Sequence, residues 1–243
     1  MRKILDRLRS VFVWAVALPV FLLACAAVAL GSFVLRGRAL ERLVKASSRA
    51  VLFAAGVRIR LEGLERVAPG RPCVVVMNHV NFFDPLVVQA VFPGPIRGAE
   101  EESHFRWPVY GAVLRRIGQF PIDRKDPARA VESLKRAAVW LREKPGFSFG
   151  ILPEGTRTRD GRLGPFKRGA FMLALDAGLD ILPVVQKGAF AIARKGSLNI
   201  RPGRLTVTVE PAVPVAGYTK ETVGDLVDRV RRVFLDALEG TSA

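Results

Sequence analysis

Cys73-Val74-Val75-Val76-Met77-Asn78-His79-Val80-Asn81-Phe82-Phe83-Asp84-Pro85 is the stretch from which the rest of the chain can be read. Its first five residues are an unbroken apolar run of strand length, the pattern of a strand buried on both faces. Pro85 suits a first helical turn, so a helix is expected to begin there and run through Ala90. His79 and Asp84 thus fall between the carboxyl end of a strand and a helix, where α/β sheets place reactive side chains. A carboxylate beside an imidazole fixes the tautomer and stabilises the imidazolium that forms when the other ring nitrogen takes a proton. No Ser or Cys stands nearby as a nucleophile, so the pair suits deprotonation of a hydroxyl on the substrate itself. The spacing alone also fits a capping Asp and an ordinary loop His. Its weight comes from scarcity, since His79 and His104 are the only histidines, and from three further signatures downstream.

Outward from this point strands and helices alternate. Strands are expected at 57–61, 119–122, 147–152, 181–185, 189–193 and 205–209. Helices are expected at 105–117, at 127–143 behind an Asp126-Pro127 start, at 167–177 closed by Gly178, and at 222–238. The fold class expected is α/β: a mixed sheet covered by helices, with an N-terminal apolar membrane-associated helical hairpin. Residues 1–56 are assigned to the membrane anchor and 57–243 to the catalytic domain.

The anchor rests on residues 11–35, which carry no charge over 25 positions. At a rise of about 1.5 Å per residue that is long enough to cross a bilayer. Arg2, Lys3, Arg7 and Arg9 precede it, and Arg36, Arg38, Arg42, Lys45 and Arg49 follow it. Two basic flanks give no orientation by the positive-inside rule. A segment that enters one leaflet and returns, bent at Pro19 or Gly31, reconciles them. An amphipathic helix over 40–55 would lie in the interface beside it. The rival is a cleaved signal peptide, read from Ala24-Cys25-Ala26 and Leu22-Leu23-Ala24-Cys25. The apolar run continues to Leu35, longer than a signal core needs.

Formal net charge is +16, which directs the protein toward anionic lipid, a phosphate-bearing substrate or nucleic acid. Nucleic acid is set aside: no such motif is present, and the aromatics do not interleave a basic run. Cys25 and Cys73 have no partner at metal-ligand spacing, so no metal site is expected.

Three signatures follow the His–Asp pair. Gly118-Gln119-Phe120-Pro121-Ile122-Asp123-Arg124 places Arg124 after a short strand, where a guanidinium can grip phosphate bidentately or simply pair with Asp123. Pro153-Glu154-Gly155-Thr156-Arg157-Thr158 follows another strand and concentrates donors: Gly155 permits close backbone approach, Thr156 offers a hydroxyl, and Arg157 a charge. Lys167 then brings a cation to a helix start, against the helix dipole. Last is Leu182-Pro183-Val184, where a proline at a strand edge also has a purely structural explanation.

In this order the four blocks resemble the glycerolipid acyltransferase family that includes the 1-acylglycerol-3-phosphate acyltransferases, over roughly residues 57–209. The resemblance implies that His79 is the general base and that Asp84 orients it. It implies an acceptor-phosphate site at Arg124 and at Glu154, Gly155, Thr156 and Arg157, to which Lys167 is added, and an acyl pocket shaped by Pro183. The implied reaction moves a fatty acyl group from acyl-CoA or acyl carrier protein to the sn-2 hydroxyl of 1-acylglycerol-3-phosphate. Neither donor is a cofactor in the strict sense; each is a co-substrate, and no metal is required. The implied location is the inner or cytoplasmic membrane, with the catalytic part facing the cytoplasm and the basic surface held to anionic lipid. Two other readings stay open: acylation of another lyso-lipid (a lysophospholipid or an amino-acid lipid), and a non-catalytic lipid-binding membrane protein. The chain also departs from the family pattern. Glu101-Glu102-Ser103-His104 stands roughly where many members carry a Lys and a Glu-Leu pair, Leu152 replaces a usual Phe, and Pro121 interrupts the second block.

Overall fold

In a computed structural model, which describes residues 2–240, the elements run in chain order as α1 (Arg2–Val34), α2 (Gly37–Ala54), β1 (Val57–Glu62), β2 (Val74–Met77), α3 (Asp84–Val91), β3 (Ile96–Glu101), α4 (Pro108–Arg116), β4 (Phe120–Ile122), α5 (Pro127–Glu143), β5 (Ser148–Ile151), α6 (Gly169–Ala177), β6 (Ile181–Lys187), α7 (Ala189–Ile192), β7 (Gly203–Val209) and α8 (Val223–Glu239). Met1 and residues 241–243, the outer ends of the two expected segments, lie outside the described residues.

Successive side chains of a strand point to opposite faces, and β2 shows what this does here. Val75 and Met77 pack into a core layer with Leu52, Val87 and Val88 from α2 and α3. Val74 and Val76 pack into the opposite layer with Ala137, Phe171, Leu226 and Phe234 from α5, α6 and α8. All four are essentially inaccessible, so the apolar run reflects a sheet covered on both sides. The sheet order is β1-β7-β6-β2-β5-β3-β4. β6, β2, β5, β3 and β4 run parallel, β7 joins β6 antiparallel, and β1 joins β7 parallel. The sheet is mixed, as expected. The carboxyl ends of β2, β4 and β5 share one edge, and the three chemical blocks that follow those strands are gathered there.

Four local expectations are corrected. The strand expected at 189–193 is instead the short helix α7 followed by an isolated bridge from Ala193 to Ile200, because Gly188 at φ +90 turns the chain out of β6 and a Cβ there would stand 2.6 Å from the Arg204 carbonyl oxygen. β3 was not expected: Ile-Arg-Gly-Ala-Glu-Glu is too polar to read as a strand, yet it is paired on both sides by β5 and β4. The helix expected at 105–117 divides into a 3₁₀ turn (Glu102–Arg106) and α4, with Pro108 at the first helical position. Pro183 is in an interior strand, not at an edge. Its carbonyl accepts from Glu210 N at 2.9 Å in the register of the β6–β7 ladder, and its missing N–H forfeits only the reciprocal bond at the ladder's end, beyond Val184↔Val209.

α1 is one continuous 33-residue helix that runs through Pro19. The chain reverses after it, between Val34 and Gly37, and not at Pro19 or Gly31. Gly31 is instead a point of close helix approach, where a Cβ would lie 2.6 Å from Leu43 Cδ2. The hairpin is docked on the α/β body along its length. Val13 and Ala17 join the core beneath the sheet. Ser10 Oγ and Trp14 Nε1 donate to the Leu198 carbonyl at 3.1 and 2.7 Å. Cys25 and Val28, at the stretch on which the rival signal-peptide reading rests, pack against Val44, Val113 and Ile117. The opposite face of α1 is apolar and exposed, through Leu8, Phe12, Leu23, Leu30 and Phe33. By length and composition α1 is the one described helix able to cross a membrane.

Candidate active site

β2 ends at Met77, and the loop that follows is organised by buried polar side chains. Asn78 prolongs the β2–β6 ladder past its backbone register. Its Oδ1 accepts from Gln186 N at 2.8 Å and its Nδ2 donates to Gln186 O at 3.1 Å. Asn81 Nδ2 donates to the Ala189 carbonyl at 2.8 Å, while its Oδ1 accepts from Phe83 N at 2.9 Å. The loop between them carries His79 across the end of the sheet.

The expected His–Asp pair is present. His79 Nδ1 lies 2.7 Å from Asp84 Oδ2, with both side chains buried. The same oxygen accepts from Val80 N at 2.6 Å and Asn81 N at 3.0 Å. Oδ1 accepts from Gln186 Nε2 at 2.8 Å. A carboxylate surrounded by donors makes Nδ1 the protonated ring nitrogen, which leaves the lone pair of Nε2 available as a base. Among the described residues Nε2 has no hydrogen-bond partner.

The turn after β5 clamps the backbone of His79 from the other side. Glu154 Oε1 accepts from His79 N at 3.0 Å, and Thr158 N donates to His79 O at 3.0 Å. Glu154, expected among the phosphate ligands, is therefore turned to the histidine loop; a carboxylate also repels phosphate. It is buried and its Oε2 has no partner. Burial pushes its carboxyl from 4.5 up to about 7, with a smaller push from Asp84. The proton is held more tightly in the folded chain than in the unfolded one. Its stabilisation is complete below about pH 4.5 and is lost as pH rises through about 7. A shift of this size corresponds to about 3 kcal/mol. Glu154→Gln keeps an acceptor for His79 N and removes the titration. Its melting temperature relative to wild type should therefore climb by several degrees between about pH 5 and pH 8. Parallel melting curves at the two pH values would refute buried ionisation at Glu154.

Arg124, Gly155 and Lys167 line one groove of about 240 Å³, with Ile122, Leu134, Leu152 and Pro153. Gly155 stands at φ +66, a backbone conformation that residues with a Cβ rarely adopt, and the Lys167 side chain crosses close over it. Arg124 lies 3.6 Å from Glu101, one residue of the acidic segment. Arg157 is half-buried beside Thr158 and, among the described residues, makes no hydrogen bond or ion pair. Thr156 is exposed, and its hydroxyl accepts from Lys195 Nζ at 2.5 Å. A second cavity, apolar and of about 100 Å³, lies between the hairpin, α3, α4 and the sheet. Phe21, Val28, Val44, Leu86 and Val113 are in its lining. Ala99, Ile151 and Leu152 line both spaces. Pro183 is buried in β6 and is in neither lining.

Gln186, Asn78 and Asn81 had no signal in the sequence beyond being amides next to apolar runs. Together the residues form a His–Asp dyad near a cationic groove and an apolar cavity that share a wall.

A family model described as acyltransferase matches residues 58–187. A 1-acyl-sn-glycerol-3-phosphate acyltransferase of Limnanthes douglasii is 31% identical over 185 residues, 76% of this chain and 65% of its own. The alpha enzyme of that name from Homo sapiens is 30% identical over 217 residues, 88% of this chain and 76% of its own. The chain thus spans about 65% of the length of the plant relative. A crystal structure titled as the 1-acyl-sn-glycerophosphate (LPA) acyltransferase PlsC from Thermotoga maritima superposes with a TM-score of 0.81 over 100% of both chains at 23% identity, a likeness of fold.

Proposed function

This chain belongs to the acyltransferase family, and from that premise we propose that it transfers a fatty acyl group from a thioester donor, acyl-CoA or acyl carrier protein, to the sn-2 hydroxyl of 1-acylglycerol-3-phosphate. The observation that carries the reading is the His79–Asp84 dyad, whose free Nε2 serves a site with cations on one side and an apolar cavity on the other. His79 Nε2 takes the proton of the acceptor hydroxyl. The oxygen attacks the thioester carbonyl, and the tetrahedral intermediate collapses to the new ester and the thiol, which takes the proton back from the imidazolium. Asp84 supports the imidazolium while it exists. No acyl-enzyme is formed and no metal takes part.

Arg157 and Lys167 supply the charge for the acceptor phosphate, with Arg124 as a weaker contributor held partly by Glu101. An acyl chain is placed in the apolar cavity between the hairpin and α3, and not at Pro183. The test is direct: purified protein, a panel of lyso-lipids, acyl-CoA and acyl carrier protein as alternative donors, products read by mass spectrometry. Phosphatidic acid as the favoured product is expected. Formation of no acylated lipid with either donor would overturn the reading.

Because α1 is packed lengthwise against the body, it is placed in one leaflet, apolar face inward, as a monotopic anchor at the cytoplasmic membrane. The body then faces the cytoplasm, where thioester donors are found, and its positive charge favours anionic lipid. Phe12 and Leu23 are both 70% exposed on that face. Burying such side chains is worth roughly 1.5–3 kcal/mol each. Phe12→Glu combined with Leu23→Glu should therefore lower partition into vesicles at least tenfold without a fall in melting temperature. Undiminished sedimentation with vesicles would show that α1 is not the anchor.

A further inference from the structure

We propose that Gln186 is a positioning residue for the acyl transfer inferred above, acting through Asp84 to hold the His79 imidazole in one tautomer and one orientation. Gln186 lies in β6 and is 2% exposed. Its amide nitrogen donates to Asp84 Oδ1 and to the Asn78 carbonyl, both at 2.8 Å. Its Oε1 is buried without a partner. The amide cannot be reversed, because that would set its oxygen against two acceptors. The unpaired oxygen is thus a direct consequence of serving both acceptors.

An apolar side chain of similar volume would leave both Asp84 Oδ1 and the Asn78 carbonyl without this donor, so the glutamine is set by the two acceptors it serves, at the expense of its own unpaired oxygen. Val80 N, Asn81 N and His79 Nδ1 all converge on Oδ2. Among the described residues only Gln186 engages Oδ1, so it fixes the plane of the carboxylate and with it the aim of Oδ2 at the imidazole. Gln186 does this as a neutral donor. A lysine or arginine there would pair with Asp84 and compete with the imidazolium for its charge.

The test uses the full-length protein in detergent with ¹⁵N-labelled histidine, which gives two imidazoles to observe, those of His79 and His104. In the wild type, neutral His79 should show one tautomer, with a protonated, slowly exchanging Nδ1 and a bare Nε2. In Gln186→Leu that signature should give way to mixed tautomers and a rapidly exchanging Nδ1 proton. kcat should fall about 10–100-fold, a fraction of what general-base catalysis is worth. KM for both substrates should stay within about twofold. Gln186→Met is the substitute if the leucine variant does not fold. Gln186→Glu, which sets a carboxylate against Asp84, should lose at least as much kcat. An unchanged His79 spectrum in a folded Gln186 variant overturns the proposal, as does a loss that falls on KM. The spectrum needs no turnover. A wild type without acyl transfer sinks the functional reading alone, and an unmoved spectrum in an active enzyme sinks this inference alone.

Discussion

His79→Ala is expected to lower kcat by about 10²–10⁴-fold, the range that general-base catalysis contributes, while the protein stays folded. Removal of the imidazole leaves the loop held by its backbone, through Glu154 and Thr158. Asp84 keeps Val80 N, Asn81 N and Gln186 Nε2 as partners. Asp84→Asn is a different experiment in the same site. Every neighbour of that carboxylate is a donor, so the new amide NH₂ must face another donor whichever way it turns. Loss of activity of the same order should therefore come with a lower melting temperature, because a buried donor left unpaired costs about 1–3 kcal/mol. Rates within twofold of wild type in a folded His79→Ala protein would remove the dyad from the chemistry.

Arg157→Ala is expected to lower kcat/KM for a phosphate-bearing acceptor by about 10–150-fold, from the roughly 1.5–3 kcal/mol that a hydrogen bond to a charged group contributes. The effect should fall on KM for the acceptor and leave KM for the acyl donor unchanged. Arg157 is the expected site of the larger effect because it has no partner among the described residues, whereas Arg124 lies 3.6 Å from Glu101 and must exchange one carboxylate for the phosphate. Arg157→Lys should restore part of the loss, since ammonium supplies charge without the planar fork. Kinetics on matched acceptors, 1-acylglycerol-3-phosphate and monoacylglycerol, decide the matter. Equal losses on the two would show that Arg157 does not read phosphate, and the acceptor assignment would fall with it.

The legible part of the site was the part set by neighbours in sequence. His79 and Asp84 could be paired from the sequence because a strand end and a helix start, both marked by local residues, bring positions five apart into contact. Gly155 could be picked out because it stands in a donor-rich turn after a strand. Glu154 could not be placed correctly from the same turn. Its carboxylate is aimed by the pairing of β5 with β2, which sets it against a backbone amide 75 residues away.

The sequence by itself determined the elements whose signals are short-range. These are the doubly buried β2, the helix starts at Pro85 and Asp126-Pro127, the stop at Gly178, the long apolar α1 and the pairing of His79 with Asp84. Tertiary structure decided everything that depends on strand order and helix docking. Gln186 reaches Asp84 across 102 residues because β6 lies beside β2. Arg124 meets Glu101 because β4 lies beside β3. The apolar cavity exists because the hairpin folds back onto α3 and α4. The physical reason is the range of the forces involved. Propensity, capping and hydrophobic period act over a turn or two of chain, whereas a buried polar group takes its partner from whichever strand the topology sets beside it.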